Sequence, residues 1–238
     1  MSQANGQPIR VLCAGAAQGL INALKEKSLI ASEVQLDCRF GAVGAMREAL
    51  LAGEPCDVMI VTSSMIQELL QAGHLRRGSE SALGNVSTGI AVPSGDPWPD
   101  ISTADALKMA LLAASGIYFP DPQRATAGIH FASVLSRIGI AEIVGSRLRT
   151  FPNGATAMRE LAAGSEASAI GCTQVTEIIT APGVDCVGIL PEGCGLSTTY
   201  SAAVACKAHQ PESAQAFVRL VAGPATEALR RTLGFDGT

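Results

Sequence analysis

Short apolar runs of strand length alternate along this chain with stretches in which apolar positions recur every third or fourth residue. Residues 9–14 form the first run, and a small polar loop, residues 15–19, follows it. Ala17, Leu20, Ile21 and Leu24 then mark one face of a helix. Val34, Leu36, Cys38 and Phe40 alternate with polar residues, which predicts a strand. The turn at residues 41–44 leads into a helix carrying Met46, Ala49 and Leu50, stopped by Gly53. Residues 57–61 predict a buried strand, and Met65, Ile66, Leu69 and Leu70 a third helix. This βαβαβα order predicts a parallel sheet covered by helices.

The alternation resumes after residues 86–92, a further predicted strand, and a crowd of Pro93, Gly95, Pro97 and Pro99 that reads as a boundary. Ser102 is placed to cap a helix with Asp105 at the capping-box position and Leu107, Ala110, Leu111 and Ala114 on its apolar face. A short strand at 117–119 precedes a helix through Phe131, Val134, Leu135 and Ile138. A helix at 155–163, a strand near Ile170, a helix near Thr176 and strands at 184–190 and 198–206 follow. Two helices opened by Pro211 and Pro224 end the chain. Ala45-Met46-Arg47-Glu48 recurs as Ala157-Met158-Arg159-Glu160, each followed by a glycine, a strand and a polar strand end, Thr62-Ser63 and Thr173-Gln174. The spacing is too long for a solenoid and suggests two related α/β lobes with ligand loops at equivalent strand ends.

Composition narrows the function classes. Of the 238 residues 47% are hydrophobic and 16% charged, which supports a sizeable core and excludes a disordered chain. The net charge of −4 and 4% aromatic content give no footprint for nucleic acid. No apolar run reaches the ~18 residues of a membrane span, so no membrane insertion is expected. Seven scattered cysteines, Cys13, Cys38, Cys56, Cys172, Cys186, Cys194 and Cys206, show neither a disulfide framework nor CxxC spacing. No metal and no cofactor are expected, since Walker and GxGxxG patterns are absent too. The opening MSQANGQPIR has no basic or apolar leader region, so the expected location is cytoplasmic, or periplasmic if an export signal has been removed.

Five loops follow predicted strands and open predicted helices: residues 15–19, 41–44, 62–63, 124–128 and 153–154. Small residues there let backbone N–H groups approach an anion at the positive end of a helix, although ordinary tight turns look the same. The residues they offer a ligand are Ala16 and Gln18; Ala42 and Val43; Thr62 and Ser63; Arg124, Thr126, Ala127 and Gly128; and Asn153 and Gly154. Gln174 joins them at a further strand end. Arg124 is the cation of the set, an anchor for a carboxylate or a surface residue. Thr126 is the expected N-cap of its helix. His130, one turn further on, is either a general acid/base or a half-buried histidine bonded to backbone. Cys13 and Cys172 lie near strand ends, as cleft thiols or core residues. Asp121, Glu177 and Asp57 could supply a carboxylate base, with structural roles the alternative for the last two. Thr62-Ser63-Ser64 lacks the GxSxG elbow of a hydrolase.

The segments VLCAGAAQGLINAL, FGAVGAMREALLAGEPCDVMIVTSSMIQELLQAGHL and TAGIHFASVLSRIGI resemble the molybdate-binding branch of the type II periplasmic substrate-binding proteins. Gln210-Pro211-Glu212-Ser213-Ala214 and Leu233-Gly234-Phe235 extend that resemblance to nearly the whole chain. It implies an α/β fold of two lobes, residues 1–88 plus 195–238 and an inserted 89–194, with hinge strands near 86–93 and 188–197 and a ligand cleft between the lobes. The molybdate binders present serine hydroxyls in the first two loops, where this chain has Ala16 and Ala42 or Val43. Their later tyrosine falls near Gln174. A tetrahedral oxyanion would lose much of its hydrogen-bonding shell here, so a small anionic ligand of the carboxylate class is expected over molybdate. The same fold serves a few enzymes, aconitate isomerase among them. The resulting expectation is an isomerase that moves an allylic proton in an unsaturated di- or tricarboxylate, with Arg124 and loop N–H groups fixing carboxylates and His130 moving the proton. The alternative is a solute-binding protein of a transporter or sensor, with an ABC permease as its partner in the transporter case.

Overall fold

The computed structural model describes residues 7–27 and 35–237. Val34 and the first six residues of the N-terminal stretch lie outside the described residues. In chain order the first elements are β1 (Ile9–Ala14), α1 (Gln18–Glu26), β2 (Leu36–Gly41), α2 (Val43–Leu51), β3 (Val58–Thr62) and α3 (Ser63–Gln71). Next come β4 (Ser81–Pro93), α4 (Ala104–Ala113), β5 (Ile117–Pro120), α5 (Thr126–Arg137), α6 (Ala141–Val144), β6 (Leu148–Phe151) and α7 (Gly154–Ala163). The rest are β7 (Ile170–Gln174), α8 (Val175–Ile179), β8 (Val184–Ile189), β9 (Ser197–Val204), α9 (Pro211–Ala222) and α10 (Glu227–Thr232).

The chain divides into two compact units, one of residues 1–85 with 198–238, the other of residues 86–197. β4 carries the chain out of the first unit and β9 brings it back. In the first unit β1 lies between β2 and β3, parallel to both, and β9 adds antiparallel to β3. The C-terminal ends of three parallel strands therefore share one edge with Tyr200, which pairs with Thr62. β3 is buried along its whole length, as its unbroken VMIVT requires. Leu20, Ile21 and Leu24 of α1 and Ile66, Leu69 and Leu70 of α3 form buried helix faces, as the periodicity predicts. Each such side chain contributes roughly 1.5–3 kcal/mol when fully buried.

In the second unit β5 runs parallel to β6 and β7, and β4 is antiparallel to β7 and β8. Its core gathers Leu107, Leu111, Phe119, Phe131, Val134 and Leu135, with Phe119 and Phe131 edge to face at 5.3 Å. A smaller cluster places Met158 and Leu161 of α7 against Tyr118 and Ile178.

The structure corrects some local readings. β4 begins at Ser81, well before the predicted 86–92, because Ser81 to Asn85 lacks a clean apolar run. α4 is capped by Thr103, whose hydroxyl accepts from Ala106 N at 3.1 Å, while Ser102 N donates to Asp100. Thr126 is the first residue of α5 and Ala125 holds the N-cap position. The repeat is one residue further along at its strand ends. Thr62 and Gln174 both occupy the N-cap position of the following helix, so the offset relating Ala45 to Ala157 also relates Thr62 to Gln174.

Candidate functional site

The strand C-termini of each unit carry the predicted loops, and helix capping distinguishes them. A helix start leaves backbone N–H groups without partners, and Ser, Thr, Asp or Asn at the N-cap usually supplies one. At the first unit's edge Ala14 precedes the tight turn Gly15–Ala17 that leads into α1, and Ala42 precedes α2; neither can cap. In the second unit Ala125 precedes α5, again without a side-chain cap. Alanine at an N-cap forgoes about 1 kcal/mol each time. At these three starts the N-cap residue supplies no side-chain acceptor to the first-turn N–H groups. Ala16, Ala42, Val43 and Ala127 are buried there, with Gln18 and Thr126 half-buried.

α3 is different. Thr62 Oγ1 accepts from Met65 N at 3.4 Å and lies 3.2 Å from Ser64 Oγ, while Ser63 Oγ is 2.7 Å from Ser201 Oγ. Thr62 and Ser63 thus sit in a hydroxyl cluster that includes a β9 residue. In the second unit Gly128 lets α5 press against the end of β5: a Cβ there would meet the Pro120 and Asp121 carbonyl oxygens at 2.3 Å. Asp121 Oδ1 accepts from the N–H groups of Gln123 and Arg124, which shapes the loop, and the Arg124 side chain is exposed.

Gln174 is only 2% exposed, yet both atoms of its amide lack a hydrogen-bond partner. Its neighbour across the β4–β7 pair, Thr88, and Thr176 on α8 are buried with unpartnered hydroxyls as well. Buried polar groups are normally paired, and each orphan costs about 1–3 kcal/mol. A donor–acceptor amide and two hydroxyls on this unit are suited to an uncharged or acidic O–H/C=O group of a ligand.

Asn153 and Gly154 are engaged inside the protein. Asn153 Oδ1 accepts from Thr156 N at 2.8 Å. The N–H groups of Gly154 and Ala155, the first two of α7, bond to the buried carboxyl of Glu177, as does Gln174 N. Thr173 Oγ1 adds a bond of 2.6 Å to the same carboxyl. Burial pushes the Glu177 carboxyl up from its ordinary range, against these hydrogen bonds, which pull it down. The three first-turn donors of α7 are thereby all met from within.

His130 Nε2 lies 2.7 Å from the Cys194 carbonyl oxygen, the backbone-bonded arrangement. With Nε2–H donating there, Nδ1 is the nitrogen that carries a lone pair in the neutral ring. Asp57 is wholly buried and accepts from Arg10 N, Nε and Nη2 and from His209 N, at 2.7–3.1 Å. Burial opposes its ionisation, but the Arg10 and His209 bonds prevail and hold its pKa below the ordinary value. It ties the first unit together at the opposite end of β1. All seven cysteines are free thiols. Cys13 and Cys172 are fully buried, and burial pushes their thiols well up. No group of three or more His, Cys, Asp or Glu side chains suited to a metal occurs among the described residues, and no single described helix is long and apolar enough to cross a membrane.

Sequence reading missed Ser201, Thr88 and Thr176. Ser201 reaches Ser63 only through the β3–β9 pairing, and nothing local marks it. Thr88 stands beside Ser87 in the predicted strand, and nothing local marks it as the buried one of the two. The role of Glu177 was legible only as a carboxyl four residues after Thr173.

Comparison with known proteins gives the family and the fold. The chain is 28% identical over 225 residues to a Pseudomonas aconitate isomerase, covering 91% of this chain and 84% of the relative. The periplasmic molybdate-binding protein of Azotobacter vinelandii superposes with a TM-score of 0.78 at 18% identity, over 95% of this chain and 98% of that one. The sulfate-binding protein SubI of Mycobacterium tuberculosis gives 0.71 at 17% identity, over 97% and 86%. The fold is that of the type II periplasmic binding proteins. A family model described as bacterial extracellular solute-binding protein matches residues 9–236, and the chain belongs to that family.

Proposed function

We propose that this protein binds an unsaturated di- or tricarboxylate and moves its allylic proton, as an isomerase. The observation that carries the reading is the likeness to an aconitate isomerase along 91% of the chain. The uncapped helix starts at Ala14, Ala42 and Ala125 support it, as donors for carboxylate oxygens. In such a reaction a C–H bond next to the double bond breaks. Its electron pair spreads into a dienolate, and a proton returns at the other allylic carbon. The alanine-capped N–H groups stabilise the charge on oxygen as it develops. His130 Nδ1 carries the proton, its ring oriented by the Cys194 carbonyl. Arg124, in the loop before α5, fixes a carboxylate.

Incubation with cis- and trans-aconitate, followed by proton NMR in D2O, tests this. Interconversion with deuterium entering the allylic position is expected. No turnover of either, nor of a panel of unsaturated di- and tricarboxylates, refutes it. The family match favours a second reading, a binding protein that delivers an anion to a permease. Tight binding without turnover, and recovery of the protein from the periplasmic fraction of its source cell, would select that reading. The isomerase reading places it in the cytoplasm.

A further inference from the structure

The repeat relating the two units allows a direct comparison of α2 with α7. α2 starts behind Ala42 without a side-chain cap; by the offset of the repeat Ala42 falls at Gly154, the first residue of α7, and Met65 falls at Glu177. α7 starts behind Asn153, which caps it, and it also receives a carboxylate from within. Gly154 makes that approach possible: a Cβ would stand 2.0 Å from Glu177 Oε2 and 2.1 Å from Thr173 Oγ1. Asn153 and Ala155 remain half-buried, so the turn itself is still reached by solvent. The two helix starts have therefore diverged, one with no side-chain cap and one with both the Asn153 cap and the Glu177 carboxyl beside it.

We propose that Glu177 is a specificity-determining residue that denies α7 to an anionic ligand. The second unit then receives ligand charge at α5 and offers neutral groups, Thr88 and Gln174, elsewhere. A compact tetrahedral dianion, which needs charge-assisted donors on every side, is rejected. A carboxylate whose remaining atoms are uncharged or weakly acidic is accepted. This refines the carboxylate reading above and rests on it for the identity of the accepted ligand, while the rejection of oxyanions is measurable by itself.

Isothermal titration of the full chain with molybdate, sulfate and trans-aconitate, in wild type, Glu177→Gln and Glu177→Ala, tests it. The glutamine variant keeps the volume and one acceptor oxygen, and alanine frees the Gly154 and Ala155 N–H groups outright. Molybdate or sulfate affinity is expected to rise at least tenfold in one or both variants, with trans-aconitate affinity changed less than threefold. An unchanged oxyanion-to-carboxylate ratio in both variants overturns the proposal. So does tight molybdate binding by the wild type, a result that needs no variant to fold. Gain of oxyanion binding in a protein that never binds aconitate would refute the carboxylate reading and leave the role of Glu177 standing.

Discussion

Replacing Gly154 by alanine adds one methyl group where the structure has no room. The new Cβ would lie 2.0 Å from a carboxylate oxygen and 2.1 Å from a hydroxyl, both on buried side chains that bond each other at 2.6 Å. Neither can swing into solvent. If both stay, the site is overpacked, at roughly 1–3 kcal/mol. If Glu177 withdraws, it forfeits hydrogen bonds to a charged group worth about 1.5–3 kcal/mol each. The lower conformational entropy of alanine in the unfolded chain returns about 0.4–1 kcal/mol. The cheaper course sets the cost, and the net expectation is a loss of about 1.5 kcal/mol, which for a chain of this size lowers Tm by about 3–6 °C. Urea unfolding followed by circular dichroism gives the free energy, and hydrogen exchange should show faster opening in the first turn of α7. The same substitution in a Glu177→Ala background should cost clearly less, because the carboxyl is gone and Thr173 Oγ1, freed of its bond to that carboxyl, can turn away. A single variant within about 0.5 kcal/mol of wild type, or equal costs in both backgrounds, would refute the account of the α7 turn.

Three further outcomes are expected. Gln174→Leu removes two orphaned polar atoms and should stabilise the free protein by about 1–3 kcal/mol while weakening ligand binding; a loss of stability would contradict the orphan assignment. Asp57→Asn should cost about 2–4 kcal/mol at neutral pH in urea titrations, discounted because Arg10 is about one-fifth exposed. Because the Asp57 pKa is lowered on folding, its contribution is present above the unfolded value near ~3.9 and lost as pH falls through the folded value, so the gap between variant and wild type should close in acid and not in base. Under native conditions an aromatic disulfide reagent should modify exposed Cys206 first and leave Cys13, Cys56 and Cys172 untouched until unfolding; burial pushes Cys56 up to about 12.

The fold was legible because its signals are local. Alternation at Leu36, Cys38 and Phe40 and the three-four spacing at Leu20, Ile21 and Leu24 each report one element, and their order dictates the parallel sheet. β6 escaped notice because Leu148-Arg-Thr-Phe151 is short and half-exposed, with no apolar alternation. The ligand edges were legible as positions, since small residues after strands mark them. Their chemistry was less so. Whether a helix start is open depends on what reaches it through space, and Glu177 reaches Gly154 from a different element. The small residues of these loops are visible in the sequence, where Thr126 reads as the cap of α5; that alanines hold the N-cap positions emerges only from the structure, beside Thr62 and Asn153, which do cap.

The place of β9 in the first sheet has a consequence for biosynthesis. β3 pairs with β9, and Asp57 accepts from His209 N, so the first unit cannot close until the chain beyond the second unit has been made. All of residues 86–197 must emerge in between, on the order of ten seconds at ordinary translation rates. During that time the five-residue strand VMIVT, buried throughout in the finished fold, has one side without its strand partner. The second unit has its whole sequence available first and can complete its own core. The first unit waits with a sticky edge, and the nascent chain is most exposed to aggregation, and most in need of a chaperone, in that interval.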